Sequence, residues 1–460
     1  MLERALIDHY RCPEEFVRLG LAGELSPDAG YFRFGPGTVC YGQTSSGSRA
    51  RVPVNGLYDT LAAVTTDGGV VRVPFDPSEV IDNLRLERYA SDLAGPDGFR
   101  PRSWQAAAYY GLRGLIPSGL RRSLQRTYFR DWKARPFPRW PVDDTVERIL
   151  ERLVLLALRS QGISRLPFVW FWPDGAPSAV ILTHDVETAA GLAACGWLMD
   201  TDAAHGMRAS FQLVPEGRYD ISPGVLDEIR RRGFEVSIHD LNHDGRLFTD
   251  RDEFRRRALR INAYAREFGA RGFRSGVLYR RPEWYDALEI AYDMSVPNVG
   301  HLEVQRGGCC TVMPYFIGRI LELPLTTTQD YSLFHVLHDF SNDIWRQQLN
   351  AVMARHGLAS FLVHPDYLEP AGARHAYRAW LEHLARLRNA GRCWIALPGD
   401  VDGWWRARSR MTLVRDGDGW RVEGEGSARA RVAYVELGED DGLVYRITPA
   451  ASDTADARAA

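Results

Sequence analysis

The stretch VILTHDVE at residues 180–187 combines a short strand with two acidic side chains at its end. Residues 180–183 form a run of three apolar residues and a threonine, which is typical of a buried strand. Successive side chains of an extended chain point to opposite faces, so Asp185 and Glu187 lie on the same side. The stretch therefore predicts two carboxylates that converge on one cavity at the end of a strand.

The same strand-then-helix pattern repeats from about residue 177 to 408. Alternation over that length predicts an α/β fold, and its size favours a parallel (β/α) barrel over an open two-layer sheet. The predicted strands after the first are residues 209–214, 234–238, 272–274, 321–325 and 360–363.

The remaining sequence predicts three further segments. Residues 1–95 contain short alternating stretches between turn signals, which indicates a β-rich amino-terminal unit. Residues 96–176 are basic and aromatic and are expected to form a helical linker region. Residues 409–460 alternate again and predict a short β appendage followed by a flexible tail.

Composition excludes several classes of protein. With 460 residues, 45% of them hydrophobic and 25% charged, the chain is too apolar for a disordered protein and too long for a disulfide scaffold with 6 cysteines. A net charge of -2 gives no general attraction to nucleic acid, so no nucleic-acid partner is expected. Lys133 is the single lysine, and its basic, aromatic surroundings do not suit a Schiff-base site.

The amino terminus and one basic segment bear on location. Residues 1–5 carry an early acid and no basic region before an apolar core, so a cytoplasmic location is expected. Between Arg100 and Trp140 basic side chains greatly outnumber acids. That segment fits either a solvated linker or peripheral contact with an anionic membrane surface, and charge alone leaves both open.

A second motif follows the strand predicted at residues 234–238. His239 and His243 have the spacing that places two imidazoles together on a helical turn, as a metal site requires. One carboxylate and two imidazoles make an open site that suits one divalent ion, zinc or alternatively cobalt.

These residues, in this order, resemble the NodB-type polysaccharide deacetylases of carbohydrate esterase family 4, over roughly residues 177–405. The resemblance implies a distorted (β/α) barrel and assigns roles to six residues. They are Asp185 as catalytic base, Glu187, His239 and His243 as metal ligands, Arg274 as the arginine that steadies the base, and His364 in Leu362-Val363-His364-Pro365 as general acid.

The sequence departs from the family pattern at two places. Glu187 stands where aspartate is usual and reaches one methylene further, and the proline that usually follows the arginine motif is absent, with Gly276 and Val277 in that stretch. The departure at Glu187 bears directly on the geometry of the metal site.

The resemblance implies an enzyme, a hydrolase acting on carbon–nitrogen bonds other than peptide bonds. The leading hypothesis is removal of an N-acetyl group from a sugar or glycan precursor. One alternative is hydrolysis of another such bond, of the cyclic imide or ureide type. The other is a glycan-binding protein without catalysis, and the aromatic cluster at residues 170–172 is open to stacking on sugar rings.

Overall fold

A computed structural model describes residues 1–47, 50–53, 56–90, 129, 132–439 and 442–448. The chain divides into two compact units. The first comprises Met1–Tyr89, Asp144–Pro177 and Gly403–Ala460, and the second comprises Ala90–Asp143 and Ser178–Asp402. The segments predicted at residues 1–95, 96–176 and 409–460 thus each contribute to the first unit.

The strands and helices of the described residues are numbered here in chain order. The strands are β1 Leu19–Leu21, β2 Gly30–Arg33, β3 Val39–Gly42, β4 Thr65–Asp67, β5 Val70–Val73, β6 Arg165–Val169, β7 Ala179–Val186, β8 Ser210–Leu213, β9 Glu235–His239, β10 Gly272–Arg274, β11 Tyr292–Asp293, β12 Tyr315–Ile317, β13 Ile320–Glu322, β14 Leu358–Leu362, β15 Trp394–Ala396, β16 Thr412–Asp416, β17 Gly419–Glu423, β18 Val432–Leu437 and β19 Leu443–Ile447. The α-helices are α1 Arg4–Tyr10, α2 Pro77–Arg85, α3 Thr145–Gln161, α4 Ala189–Ala204, α5 Pro223–Arg231, α6 Arg251–Glu267, α7 Asp343–Met353, α8 Ala371–Asn389 and α9 Pro398–Arg410.

The second unit is built on one curled sheet. Its hydrogen-bonded order is β12-β13-β11-β10-β9-β8-β7-β14, and β15 pairs with the first half of β7. The pairs are parallel except for the β12–β13 hairpin. The predicted α/β barrel class is confirmed, and β11, β12 and β15 are strands that the sequence pattern did not predict.

Side chains link the segment after β13 to β14. The hydroxyls of Thr326 and Thr327 donate to the carbonyl oxygens of Leu358 and Ser360, at 2.7 Å each. Threonine hydroxyls thereby satisfy backbone acceptors that would otherwise be buried without a partner. These bonds hold β14 beside the rest of the curled sheet.

The alternation of β7 decides which side chains face the site. Leu182 and Val186 pack with Phe211 of β8 and Ile238 of β9 in the main hydrophobic cluster, which also includes residues of α4, α6 and α8. Asp185, at the alternate position, points to the opposite face. Every residue of β7 is buried, as expected for a strand covered on both faces.

In the first unit, the carboxyl-terminal strands join the strand at residues 165–169. β18 pairs with both β6 and β19 in an antiparallel sheet, and β16 pairs with β17 as a hairpin. The amino-terminal strands form the sheet β1-β5-β4 and the pair β2–β3.

Candidate active site

The predicted site residues lie at one edge of the curled sheet. Asp185 is the penultimate residue of β7, His239 ends β9, Arg274 ends β10, and His364 lies two residues after β14. Because β7, β9, β10 and β14 run in parallel, their carboxyl ends share an edge, which is where ligands bind in α/β folds.

Three side chains at this edge form a group that could hold a metal ion. One ligand atom each from Glu187, His239 and His243 lie within 4.8 Å of one another. Both histidines are buried, and Nε2 of His243 lies 3.0 Å from Oε1 of Glu187. Two imidazoles and one carboxylate are a donor set that suits zinc and similar divalent ions.

The hydrogen bonding of His239 leaves one ring nitrogen available to an ion. Its Nδ1 lies 3.1 Å from the carbonyl oxygen of Arg274, and a carbonyl can only accept, so Nδ1 carries the hydrogen. Nε2 then has a lone pair. This atom is buried without a hydrogen-bond partner, 3.6 Å from Oδ2 of Asp185. A buried, unsatisfied acceptor aimed at a carboxylate cluster fits a metal ligand.

His243 is held by a residue that the sequence did not point to. The guanidinium of Arg218 donates to the His243 carbonyl oxygen at 2.6 Å and lies 3.3 Å from Nδ1. Nε2 of His243 is the ring nitrogen that faces Oε1 of Glu187. Arg218 lies in the loop after β8, 25 positions before His243, so no local spacing links the two.

The loop that carries Glu187 is fixed from the other side of the site. The Glu187 backbone N–H donates to Oδ2 of Asp366 at 3.1 Å, and the Thr188 hydroxyl donates to the other oxygen of the same carboxylate. The nearby imidazoles, with His243 foremost, outweigh the opposing effect of burial and hold the pKa of Glu187 well below its usual value. Glu187 is therefore an anion beside the two histidines.

Asp185 and Arg274 form a buried ion pair. Nη1 of Arg274 donates to Oδ1 of Asp185 at 2.9 Å and to the hydroxyl of Thr183 at 2.8 Å. Burial would raise the pKa of Asp185, but Arg274 and then His239 lower it below its usual value. Asp185 is thus kept as a carboxylate, the form that can accept a proton.

His364 is paired with Asp330, which the sequence did not single out. Its Nδ1 lies 2.6 Å from Oδ1 of Asp330, and its Nε2 lies 3.7 Å from Oε1 of Glu187. Burial lowers the pKa of His364, but the contact with Asp330 and the charge of Glu187 outweigh it and raise the pKa to about 10. His364 therefore holds a proton at neutral pH beside the proposed ligands.

The site holds two titratable groups, Asp185 and His364, in opposite protonation states. Asp185 is held ionised and His364 is held protonated, and both lie within 4 Å of a residue of the Glu187–His239–His243 group. Two titratable groups pushed in opposite directions are the pattern that a base and an acid of one reaction require.

The aromatic cluster at residues 170–172 is not part of this site. Trp170, Phe171 and Trp172 are buried in the first unit, where Nε1 of Trp404 donates to the Phe171 carbonyl oxygen at 2.8 Å. The suggestion that these rings stack on sugars is wrong, because they pack in a core.

The proposed membrane-contact segment at residues 100–140 lies mostly outside the described residues. Among the helices that the structure describes, none is both long and apolar enough to cross a membrane.

About half of the chain is similar in fold to several solved proteins. A candidate polysaccharide deacetylase from Mycobacterium smegmatis is 19% identical and matches over 54% of this chain and 97% of its own, with a TM-score of 0.41. The allantoinase PuuE is 13% identical over 51% and 92% of the two chains, with a TM-score of 0.40. A family 4 acetyl xylan esterase from Clostridium thermocellum, in complex with cobalt, is 14% identical over 49% and 91%, with a TM-score of 0.33.

No protein-family model matches the chain, and no curated protein matches its sequence.

Proposed function

We propose that this protein is a metal-dependent hydrolase that removes an N-acetyl group from a sugar or glycan precursor. One observation carries the proposal. A group that suits a divalent ion lies between an aspartate kept ionised by an arginine and a histidine kept protonated by an aspartate. Metal-assisted amide hydrolysis uses these three functions: a polarised carbonyl, a base for the attacking water and an acid for the leaving nitrogen.

In the proposed reaction, water attacks the acetamide carbonyl carbon. Asp185 takes a proton from that water as the new carbon–oxygen bond forms, and Arg274 keeps the carboxylate ionised and oriented. His364 then gives its proton to the nitrogen as the carbon–nitrogen bond breaks. The products are acetate and a free amine, and proton transfers by groups of this kind contribute about 10²–10⁴-fold each in rate.

The proposed metal ligands are Glu187, His239 and His243. A divalent ion bound there would polarise the carbonyl and make the attacking water more acidic. Zinc is the proposed ion and cobalt the alternative, because both accept a mixture of imidazole and carboxylate ligands. Two observations support this ligand set. Nε2 of His239 is buried without a hydrogen-bond partner, and Nε2 of His243 faces the Glu187 carboxylate at 3.0 Å.

The test compares two substrates and two variants. An amine must be protonated to leave a tetrahedral intermediate, whereas a phenolate need not be. His364→Ala should therefore lose far more activity on an N-acetylated amino sugar than on 4-nitrophenyl acetate. Asp185→Asn should lose activity on both, because both reactions need the attacking water to be deprotonated.

Three results would contradict the proposal. If His364→Ala loses activity on the amide and the ester in proportion to lost folded protein, His364 has no acid role. If the metal-loaded protein hydrolyses cyclic ureides or imides and leaves N-acetylated sugars intact, the reaction is of the alternative class. Glycan binding without hydrolysis of any of these compounds would identify a binding protein instead.

A further inference from the structure

His184 is a buried side chain between the proposed base and the helices behind it. It directly precedes Asp185 in β7 and points to the opposite face of the sheet, toward α4 and α8. Its exposed fraction is 0%. It is neither one of the proposed metal ligands nor a member of the proposed acid–base pair.

Both ring nitrogens of His184 have partners. Nδ1 lies 3.0 Å from the carbonyl oxygen of Val363, and Nε2 lies 2.9 Å from Oδ2 of Asp202 in α4. The hydroxyl of Tyr377, in α8, donates to Oδ1 of the same aspartate at 2.7 Å. Asp202 and Tyr377 are also fully buried.

The partners fix the direction of these bonds. A carbonyl oxygen can only accept, so Nδ1 of His184 carries a hydrogen and donates it to Val363. Nε2 and Oδ2 of Asp202 are 2.9 Å apart, so a second proton lies between them, bound to one of the two atoms. Since the whole group is shielded from water, its bonds are strong and their loss is costly.

The bond to Val363 extends the pairing of two strands beyond their ladder. The last paired residues of β7 and β14 are Thr183 and Leu362, and the Val363 backbone N–H donates to the Thr183 carbonyl oxygen at 3.0 Å. The residues that follow this last pair are His184 after β7 and Val363 after β14. The His184 ring joins them through its bond to the Val363 carbonyl oxygen. One residue further stand the proposed base and the proposed acid, Asp185 and His364.

We infer that His184 is a positioning residue, which fixes the spacing between Asp185 and His364 by tying the end of β7 to the segment after β14. The kinetic part of this inference rests on the proposed function. A misplacement of about 1 Å between reacting groups can lower a rate about 10²-fold, so a single bond at this point matters.

Two substitutions at position 184 separate the two halves of the ring. The amide nitrogen of asparagine takes the place of Nδ1, so His184→Asn keeps the bond to Val363 and loses the one to Asp202. The amide of glutamine reaches the place of Nε2, so His184→Gln keeps Asp202 and loses Val363. Leu384→Ala, in the same hydrophobic cluster on α8, controls for loss of stability alone.

The order of the two variants by stability should be the opposite of their order by kcat. His184→Gln should be the more stable variant, because both oxygens of Asp202 keep their partners. Its kcat on an N-acetylated amino sugar should nevertheless fall by about 10²-fold with KM unchanged. His184→Asn should be less stable but keep most of its kcat per folded molecule, as should Leu384→Ala. A kcat that follows stability in all three variants would overturn the inference.

A readout without activity separates this inference from the proposed function. Hydrogen exchange at the amides of Val363 and His364 should be faster in His184→Gln than in His184→Asn or the wild type. Equal exchange in the two variants overturns the positioning role. Faster exchange in a protein inactive on N-acetylated sugars supports it and rejects the proposed function. If His184→Asn does not fold because Oδ2 of Asp202 has lost its partner, the same comparison in an Asp202→Asn background decides the matter.

Discussion

Asp330 holds His364 by two hydrogen bonds, one to the ring and one to the backbone. Oδ1 of Asp330 lies 2.6 Å from Nδ1, and Oδ2 accepts the backbone N–H of His364 at 2.8 Å. Because an ionised carboxylate only accepts, Nδ1 carries a hydrogen and Nε2 is left facing Glu187. The aspartate thus sets both the orientation and the charge of the proposed acid.

Asp330→Asn should therefore impair the proposed acid. An amide has one oxygen and one NH₂ group, so it cannot accept both hydrogen bonds, and it brings no negative charge to hold the proton on His364. We expect kcat on an N-acetylated amino sugar to fall by at least about 10²-fold, the lower end for loss of an acid or base. Asp339→Asn is the matched control, since that carboxylate bonds to Ser341 outside the site. Equal kcat in both variants would show that Asp330 is not needed.

Asp185→Asn should keep the metal and lose hydrolysis. The amide cannot take a proton from water near neutral pH, and a loss of about 10²–10⁴-fold in kcat is expected. Metal content and turnover are measured on the same preparation. The exposed Asp252, at the start of α6 and paired with Arg255, provides the control substitution Asp252→Asn. Wild-type turnover in Asp185→Asn would reject the role of base.

His239→Ala should remove a metal ligand. We expect the variant to lose zinc or cobalt on dialysis. Added metal should raise its thermal stability less than it raises that of the wild type. For scale, a ligand at 100 times its Kd stabilises the folded state by about 2.7 kcal/mol. His205→Ala is the control, because His205 bonds to the Thr201 carbonyl oxygen at the end of α4, away from the cluster. Metal content equal to that of the wild type would refute the ligand assignment.

Glu322→Gln should make stability less dependent on pH. Glu322 pairs in register with Asp293 on the neighbouring strand, and both carboxyl groups are fully buried. Burial, and then the charge of Asp293, raise the pKa of Glu322 well above its usual value. Between the ordinary glutamate pKa and the raised one, Glu322 is protonated in the folded protein and ionised in the unfolded chain. The stability of the wild type therefore falls as pH rises through this range.

The glutamine side chain can still accept the Val296 N–H that Glu322 accepts at 3.0 Å, and it has no proton to lose. Urea unfolding at pH 5 and pH 8 should show that Glu322→Gln loses less stability than the wild type. The difference is about 1.4 kcal/mol for each unit by which the pKa is raised. Glu289→Gln, an exposed residue paired with Arg266, should behave like the wild type. Parallel pH profiles for Glu322→Gln and the wild type would count against a proton held by Glu322 in the folded protein.

The elements that the sequence predicted best are those with a local signal. The strand predicted at residues 272–274 has the bounds of β10, and the strand predicted at residues 209–214 contains β8. The short strands β11 and β15, of two and three residues, lack a local pattern that could reveal them. Their pairing with neighbouring strands, rather than their own sequence, makes them strands.

The sequence by itself determined the candidate centre. Asp185, Glu187, His239 and His243 stand at or just after strands predicted from the sequence, and the family resemblance adds Arg274 and His364. Parallel strands bring their carboxyl ends to one edge. Only the tertiary structure decided what holds these residues. Asp330 reaches His364 across 34 positions, Asp366 reaches Glu187 across 179, and Asp202 reaches His184 across 18. A strand pattern depends on neighbours along the chain, whereas a hydrogen bond between distant segments depends on where folding brings them together.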